Sequence, residues 1–197
     1  CIVQNYCTTI DTTNVVTATI NTPAAIVSNP SSVTICEGSN TSFTLGLSTT
    51  TGITYQWMVN SGAGYTNIPA AAPYSNTTSA TLNITAATAS MNGYKFICKA
   101  IDQCSDTLIS DTVTLNINTA PAITSQPGNV LACSGSGAAF TPGATGTNLN
   151  YQWQINTGAG FTNLTISSPY SVNTSGELMI SSVTPAMSGY IYRCIIS

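Results

Sequence analysis

Tyr55-Gln56-Trp57-Met58-Val59 places Tyr55, Trp57 and Val59 on one face of a period-2 strand, and Tyr151-Gln152-Trp153 repeats its opening 96 residues later. The match extends both ways. Gly62-Ala63-Gly64-Tyr65-Thr66-Asn67 returns as Gly158-Ala159-Gly160-Phe161-Thr162-Asn163, and Pro73-Tyr74-Ser75 as Pro169-Tyr170-Ser171. Leu82 and Ile84 return as Leu178 and Ile180, and Met91-x-Gly93-Tyr94 as Met187-x-Gly189-Tyr190. Upstream, Pro30, Cys36, Gly38 and Phe43 recur as Pro127, Cys133, Gly135 and Phe140 at a spacing of 97, so one residue is lost between Thr49 and Gly52. So many matches in one order mark a duplicated module.

Each copy alternates as half-buried strands do. Phe43, Leu45 and Leu47 make one face, Leu82 and Ile84 another, Tyr94, Phe96 and Cys98 a third, and Val113, Leu115 and Ile117 the last. Gly, Ser, Asn and Pro clusters separate them, and no helical spacing persists beyond a turn. The fold class read from this is all-β, with about seven short strands per module in a two-sheet sandwich. The first residues keep the same register. Cys1 and Cys7 stand 97 before Cys98 and Cys104, and Val16, Ala18 and Ile20 stand 97 before Val113, Leu115 and Ile117. Three parts are therefore expected: 1–21 as the last strand of a preceding or neighbouring repeat, 22–119 as a whole module, and 120–197 as a module without its final strand.

Only 5% of the 197 residues are charged and the net charge is −3, which speaks against a nucleic-acid footprint. The chain has no histidine, so neither a Ser-His-Asp set nor a Cys-His pair can form, and no enzyme is expected. No apolar run approaches the length of a membrane span. The chain opens at Cys1 with no signal-peptide pattern, which reads as a mature or excised segment. Seven cysteines in so uncharged a chain point to an oxidising, extracellular setting.

Trp57 lies 12 residues after Leu45, and Phe96 two before Cys98; Tyr192-Arg193-Cys194 restates the second pattern. These positions resemble strand B, the strand C tryptophan and the strand F Tyr-x-Cys of an immunoglobulin-like sandwich. As a block, YQW…GAGYTNI…TLNIT…MNGYKFIC is similar to the tandem Ig-like repeats of very large surface proteins of gliding and other Bacteroidota. The resemblance implies tandem immunoglobulin-like β-sandwich domains. It also implies departures: Leu45 and Pro142 stand where the strand B cysteine belongs, so the usual intersheet disulfide cannot form. Met91 and Met187 replace the aspartate of the usual strand F corner.

Trp57 and Trp153 at the strand C position are expected in the core, packed against Phe96 and Tyr192. Tyr65, Phe161, Tyr74 and Tyr170 are the better candidates for outside contacts, with local packing the favoured role. Disulfide candidates are Cys1, Cys7, Cys36, Cys98, Cys104, Cys133 and Cys194, their connectivity open. Five residues separate Cys98 from Cys104, so a symmetric F–G hairpin would set them opposite one another at bridgeable distance. Cys36 is expected at the other end of the sandwich from Cys104, which makes a bond between those classes easiest between successive repeats. Zinc is disfavoured without paired C-x-x-C spacing. Asp102, Asp106 and Asp111 group loosely near the F–G turn and read as solvated loop charges in preference to a calcium site. No cofactor or metal is expected.

N-x-S/T triplets at Asn40, Asn76, Asn83, Asn163 and Asn173 are common in a chain this rich in Thr and Asn. Asp11-Thr12-Thr13, Asp106-Thr107-Leu108 and Asp111-Thr112-Val113 resemble Bacteroidota O-glycosylation sites, making Thr12, Thr107 and Thr112 candidates. The functional expectation is a structural or adhesive segment of an extracellular filament or giant surface adhesin, its partners being copies or adjacent repeats, head to tail, with surface glycans or other cells beyond. The alternative is an accessory carbohydrate-binding module of a secreted glycan-degrading enzyme. Val16, Ala18 and Ile20 are the expected inter-subunit strand, completing the C-terminal repeat of a neighbouring copy; the same picture arises from one long chain of repeats cut at a strand F cysteine, which the overlap of Cys1-Ile2-Val3 with Cys194-Ile195-Ile196 favours.

Overall fold

Alternating side chains give strands whose inward residues must meet a second sheet to leave water. A computed structural model describes residues 1–4, 10–18 and 20–197, and the strands fall where the alternation places them. Cys7 lies outside the described residues. The opening segment holds β1 (Ile2–Gln4) and β2 (Ile10–Thr12). The first module runs through β3 (Ile26–Ser28), β4 (Val33–Cys36), β5 (Thr41–Thr44), β6 (Gly46–Leu47), β7 (Thr54–Asn60) and β8 (Tyr65–Asn67). It continues with β9 (Tyr74–Ser75), β10 (Thr81–Ile84), β11 (Tyr94–Ile101), β12 (Thr107–Ile109) and β13 (Val113–Asn118). The second holds β14 (Ala122–Ser125), β15 (Ala138–Phe140), β16 (Gly143–Thr145), β17 (Tyr151–Asn156), β18 (Phe161–Asn163), β19 (Tyr170–Val172), β20 (Leu178–Ile180) and β21 (Ile191–Ile196).

In the first module one sheet runs β4-β13-β11-β7-β8, with β12 on β11, and faces a second of order β5-β10-β9. The pairing is antiparallel except for β4 against β13, which is parallel with Leu115↔Val33 through Asn118↔Cys36 in register. The second module repeats both sheets as β18-β17-β21 and β15-β20-β19. Among the described residues nothing there takes the place of β13, and Val130–Cys133, the counterpart of β4, forms no strand.

Trp57 and Trp153 are buried, and each indole N–H donates to a backbone carbonyl, Ser79 O at 2.9 Å and Gly176 O at 2.8 Å. Each tryptophan shares its cluster with the expected strand F aromatic, and a third ring joins the two. Phe43 stands between, its ring 6.4 Å from Trp57 and 5.3 Å from Phe96. Phe140 does the same, 6.3 Å from Trp153 and 5.1 Å from Tyr192. The reason is register: Trp57 pairs with Cys98 and Val59 with Phe96, so the two aromatics are one diagonal step apart on the same sheet, bridged from the facing one. Phe96 is fully buried, Tyr192 half-buried. Leu45 and Pro142 are both buried where the resemblance places a cysteine.

Trp57→Ala is expected to destabilise the first module by about 3–5 kcal/mol, as large aromatic truncations in cores do. Chemical denaturation followed by far-ultraviolet circular dichroism measures it, with Trp153 fluorescence reporting the second module separately. An unchanged unfolding midpoint for the first module would place Trp57 outside the core.

Candidate interface: an open strand slot and the module junction

The first module shows what its last strand does. Val113, Leu115 and Ile117 point inward from β13 and are buried, and they cover Phe43, Met91 and Phe96. Asn92 fastens the strand, its side-chain oxygen accepting the Ile117 N–H at 2.8 Å. In the second module the counterparts of what β13 covers are open. Phe140, Met187, Tyr192 and Cys194 are each only half-buried, against buried Phe43, Met91, Phe96 and Cys98. Leu131 stands fully in solvent and Val130 is 42% exposed. These residues border a groove of about 590 Å³ between the 130–134 segment and β21, floored by Phe140, Ile180 and Tyr192. Its rim is unpaired strand edge, which seeks another strand.

The opening segment carries the matching piece. Its hairpin pairs Ile2↔Thr12, Val3↔Asp11 and Gln4↔Ile10, and the β11–β12 hairpin pairs Lys99↔Ile109, Ala100↔Leu108 and Ile101↔Thr107. Adding 97 to each number of the first set gives the second. Residues 2–4 and 10–12 therefore pair in the register of the F–G strands of a repeat. Beyond them, residues 13–18 join no strand, and Val16 and Ile20, the counterparts of Val113 and Ile117, are both 89% exposed. Ala18 is exposed as well.

The cysteines are corrected by the same register. In β11–β12 the paired numbers sum to 208, which centres the turn on Cys104 and sets Ser110 opposite Cys98; the Ser110 N–H donates to Cys98 O at 2.9 Å. Cys98 and Cys104 are therefore not opposite one another. Cys98 faces the core and burial pushes its thiol up to about 12, while Cys104 is exposed at the tip. Burial also raises the Cys194 thiol. Cys1, Cys36 and Cys133 are exposed, and no two described cysteines are joined.

Asp102 sets that turn, and it is no solvated loop charge. It is 7% exposed, with Oδ1 accepting the N–H groups of Cys104 at 2.8 Å and Asp106 at 2.9 Å, and Oδ2 accepting that of Ala24 at 2.8 Å. A carboxylate satisfied by three backbone donors has little left for a cation, and no metal-binding cluster occurs among the described residues. The bond to Ala24 ties the turn to the chain entering the module. The next junction is short too: Thr119, Ala120 and Pro121 separate β13 from β14. There the Thr119 N–H donates to Thr147 Oγ1 at 2.9 Å, and the Thr147 N–H to Thr119 O at 3.2 Å. Gly146 makes room; a Cβ there would lie 3.0 Å from Pro121 Cα, and its φ of 142° suits only glycine.

The aromatic contact candidates are engaged within their own modules. Tyr65 shares a hydrogen bond with Thr112 at 3.1 Å, and the Arg193 guanidinium lies 4.1 Å over the Phe161 ring. Tyr74 meets Phe96 edge-on at 6.2 Å, and Tyr170 meets Tyr192 at 6.2 Å. Thr12, Thr107 and Thr112 are all exposed. Several asparagines of the N-x-S/T triplets serve turns: Asn40 Oδ1 accepts from Ala86 N–H, and Asn173 Oδ1 from Ser175 and Glu177.

No protein-family model matches the chain, and no curated protein matches it in sequence. Its backbone is similar to that of Sidekick-1 immunoglobulin domains 1–4, with a TM-score of 0.63 and 20% identity over 88% of this chain and 45% of that one. It is similar also to the I-band fragment I67–I69 of titin, with a TM-score of 0.65 and 16% identity over 90% of this chain and 64% of that one. The chain thus spans about half to two-thirds of the length of these tandem-domain structures. The likeness establishes the fold: tandem immunoglobulin-like sandwiches.

Asp102 gives a pH-dependent expectation. The Ala24 N–H, above all, holds its carboxyl below the ordinary carboxylate value, with Asp106 and Cys104 adding to this against the opposing effect of burial. A depressed folded-state value contributes stability that is fully present above the unfolded value of about 3.9 and is lost as pH falls through the folded one. Asp102→Asn is expected to lower the melting temperature of the first module at neutral pH, the gap from the parent narrowing below about pH 4. Thermal melts from pH 2 to 7 measure it, and a gap constant with pH would refute the assignment.

Proposed function

We propose that this chain is a load-bearing run of Ig-like modules from an extracellular filament or giant surface adhesin of the Bacteroidota type, acting as a spacer joined head to tail. The observation that carries this reading is the repeated F–G strand register of residues 2–4 and 10–12, followed by Val16, Ala18 and Ile20 in the places of Val113, Leu115 and Ile117. Modules built this way, linked by only three residues, form a rod whose stability is nearly a sum of local terms. The boundaries 1–21, 22–119 and 120–197 follow from it. No observation favours the carbohydrate-binding alternative, because Tyr65, Tyr74, Phe161 and Tyr170 are spent on internal contacts.

Residues 13–20 are the strand that fills such a slot, either donated between subunits or supplied along one continuous chain of repeats, and the overlap of Cys1-Ile2-Val3 with Cys194-Ile195-Ile196 favours the continuous chain; copies of the 197-residue chain test the fit of strand to slot. Burying Val16 and Ile20 contributes about 3–6 kcal/mol at 1.5–3 for each side chain, comparable with the whole stability of a small domain. The contact is heterologous, so it propagates instead of closing. Analytical ultracentrifugation under reducing conditions tests it: the average mass is expected to rise with concentration for the parent chain and to stay monomeric for Val16→Asp/Ile20→Asp. Identical sedimentation of the two would overturn strand insertion.

Surface sugar at Thr12, Thr107 or Thr112 would offset the scarcity of charge. Peptide mass mapping of native material is expected to find a glycan on at least one of the three; three bare threonines would remove this part of the reading.

A further inference from the structure

The two ends of a module carry exposed cysteines beside the same residue position. Cys36 closes β4 directly alongside Asn118, the last residue of β13, and the Glu37 N–H donates to Asn118 O at 2.8 Å. At the other end, Cys104 at the tip of the F–G turn directs its thiol to the carbonyl oxygen of Asn21 at 3.8 Å. Asn21 and Asn118 are equivalent at the repeat spacing of 97, and Ile20-Asn21-Thr22 matches Ile117-Asn118-Thr119. One position in the repeat is thus flanked by the β4-end cysteine of its own module and by the turn cysteine of the module that follows.

We infer that the junction between successive repeats is a covalent one, a disulfide from the β4-end cysteine of one module to the F–G turn cysteine of the module after it, which in copies of this chain set end to end joins Cys133 of one copy to Cys104 of the copy whose residues 13–20 fill its slot. This rests on the strand insertion proposed above. When that strand seats as β13 does, Asn21 arrives beside Cys133, the counterpart of Cys36. Asn21 carries Cys104 of its own copy with it. Asp102 holds the turn in place by accepting the Cys104 and Ala24 N–H groups, so the thiol is positioned before it meets its partner. Both cysteines are exposed, whereas Cys98 is shut in the core.

The chemistry needs an oxidant, and a low-molecular-weight disulfide, RSSR, supplies it. The Cys104 thiolate attacks one sulfur of RSSR, forming a mixed disulfide and releasing RS⁻. The Cys133 thiolate of the neighbouring copy then attacks the Cys104 sulfur, forming the protein disulfide and releasing the second RS⁻. Two protein thiols are oxidised, RSSR is reduced to two RSH, and the two thiol protons end on the RSH products.

The 197-residue chain incubated with oxidised glutathione is expected to give a ladder of single-chain multiples on non-reducing denaturing electrophoresis, collapsing with reductant. Cys104→Ser and Cys133→Ser should each abolish the ladder, and Cys36→Ser should leave it intact. A mixture of Cys104→Ser and Cys133→Ser chains should stop at a cross-linked dimer, because each copy retains one competent end. Mass mapping of that dimer should find the Cys104 and Cys133 peptides joined. A ladder that persists in either single variant overturns the inference. So does its absence from a parent chain that self-assembles in the ultracentrifuge, a result that leaves strand insertion standing. A parent chain that stays monomeric when reduced and oxidised overturns strand insertion, and this inference with it.

Discussion

The seating of β13 organises each module, because it is the one strand that touches both its neighbours and its successor. Val113, Leu115 and Ile117 close the core from inside the sheet, while the backbone of β13 pairs with β11 on one side and β4 on the other. Three residues later the next module begins. The second module shows the dependence directly. Its tryptophan is buried much as the first one is, yet Phe140, Tyr192 and Met187 are all left partly in water, and the 130–133 segment has no ladder to join. Parallel pairing supplies no tight turn to hold two strands together, so β4 forms only where β13 is present to receive it.

The core and the junction are built differently. Aromatic rings from both sheets interlock through Phe43 or Phe140, and such packing is local to a module. The junctions use short polar links between backbone and side chain: Ala24 to Asp102, and Thr119 to Thr147 in both directions. With so few charges in the chain, orientation at the joints falls to hydroxyls, one carboxylate and a glycine that lets Pro121 approach closely.

Strand positions and the period were legible in the sequence because side-chain alternation and duplication are both one-dimensional signals. Tyr55, Trp57 and Val59 declare their face without reference to anything distant. The aromatic bridge was half legible: Phe43 and Phe140 recur at the repeat spacing, but only the facing sheet shows that they part Trp57 from Phe96. The F–G turn was misjudged for a definite reason. A symmetric count between Cys98 and Cys104 assumes that the strands stop at the cysteine, whereas β11 continues three residues further, to Ile101, and Asp102 then folds the chain around its own carboxylate. An Asp that accepts from the residues two and four beyond it is a local signal. Its third donor, Ala24, lies 78 residues away in sequence, and no spacing rule reaches it.

The parallel register of β4 and β13 has a mechanical meaning. The chain reaches β4 by way of β3 and leaves the module at the end of β13, so tension along a rod of such modules would draw β4 and β13 in opposite directions along their common axis. The ladder from Leu115↔Val33 to Asn118↔Cys36 is then loaded in shear, its bonds sharing the force together instead of opening one after another. A rod assembled from such modules resists extension at every repeat by the same contact that closes each core.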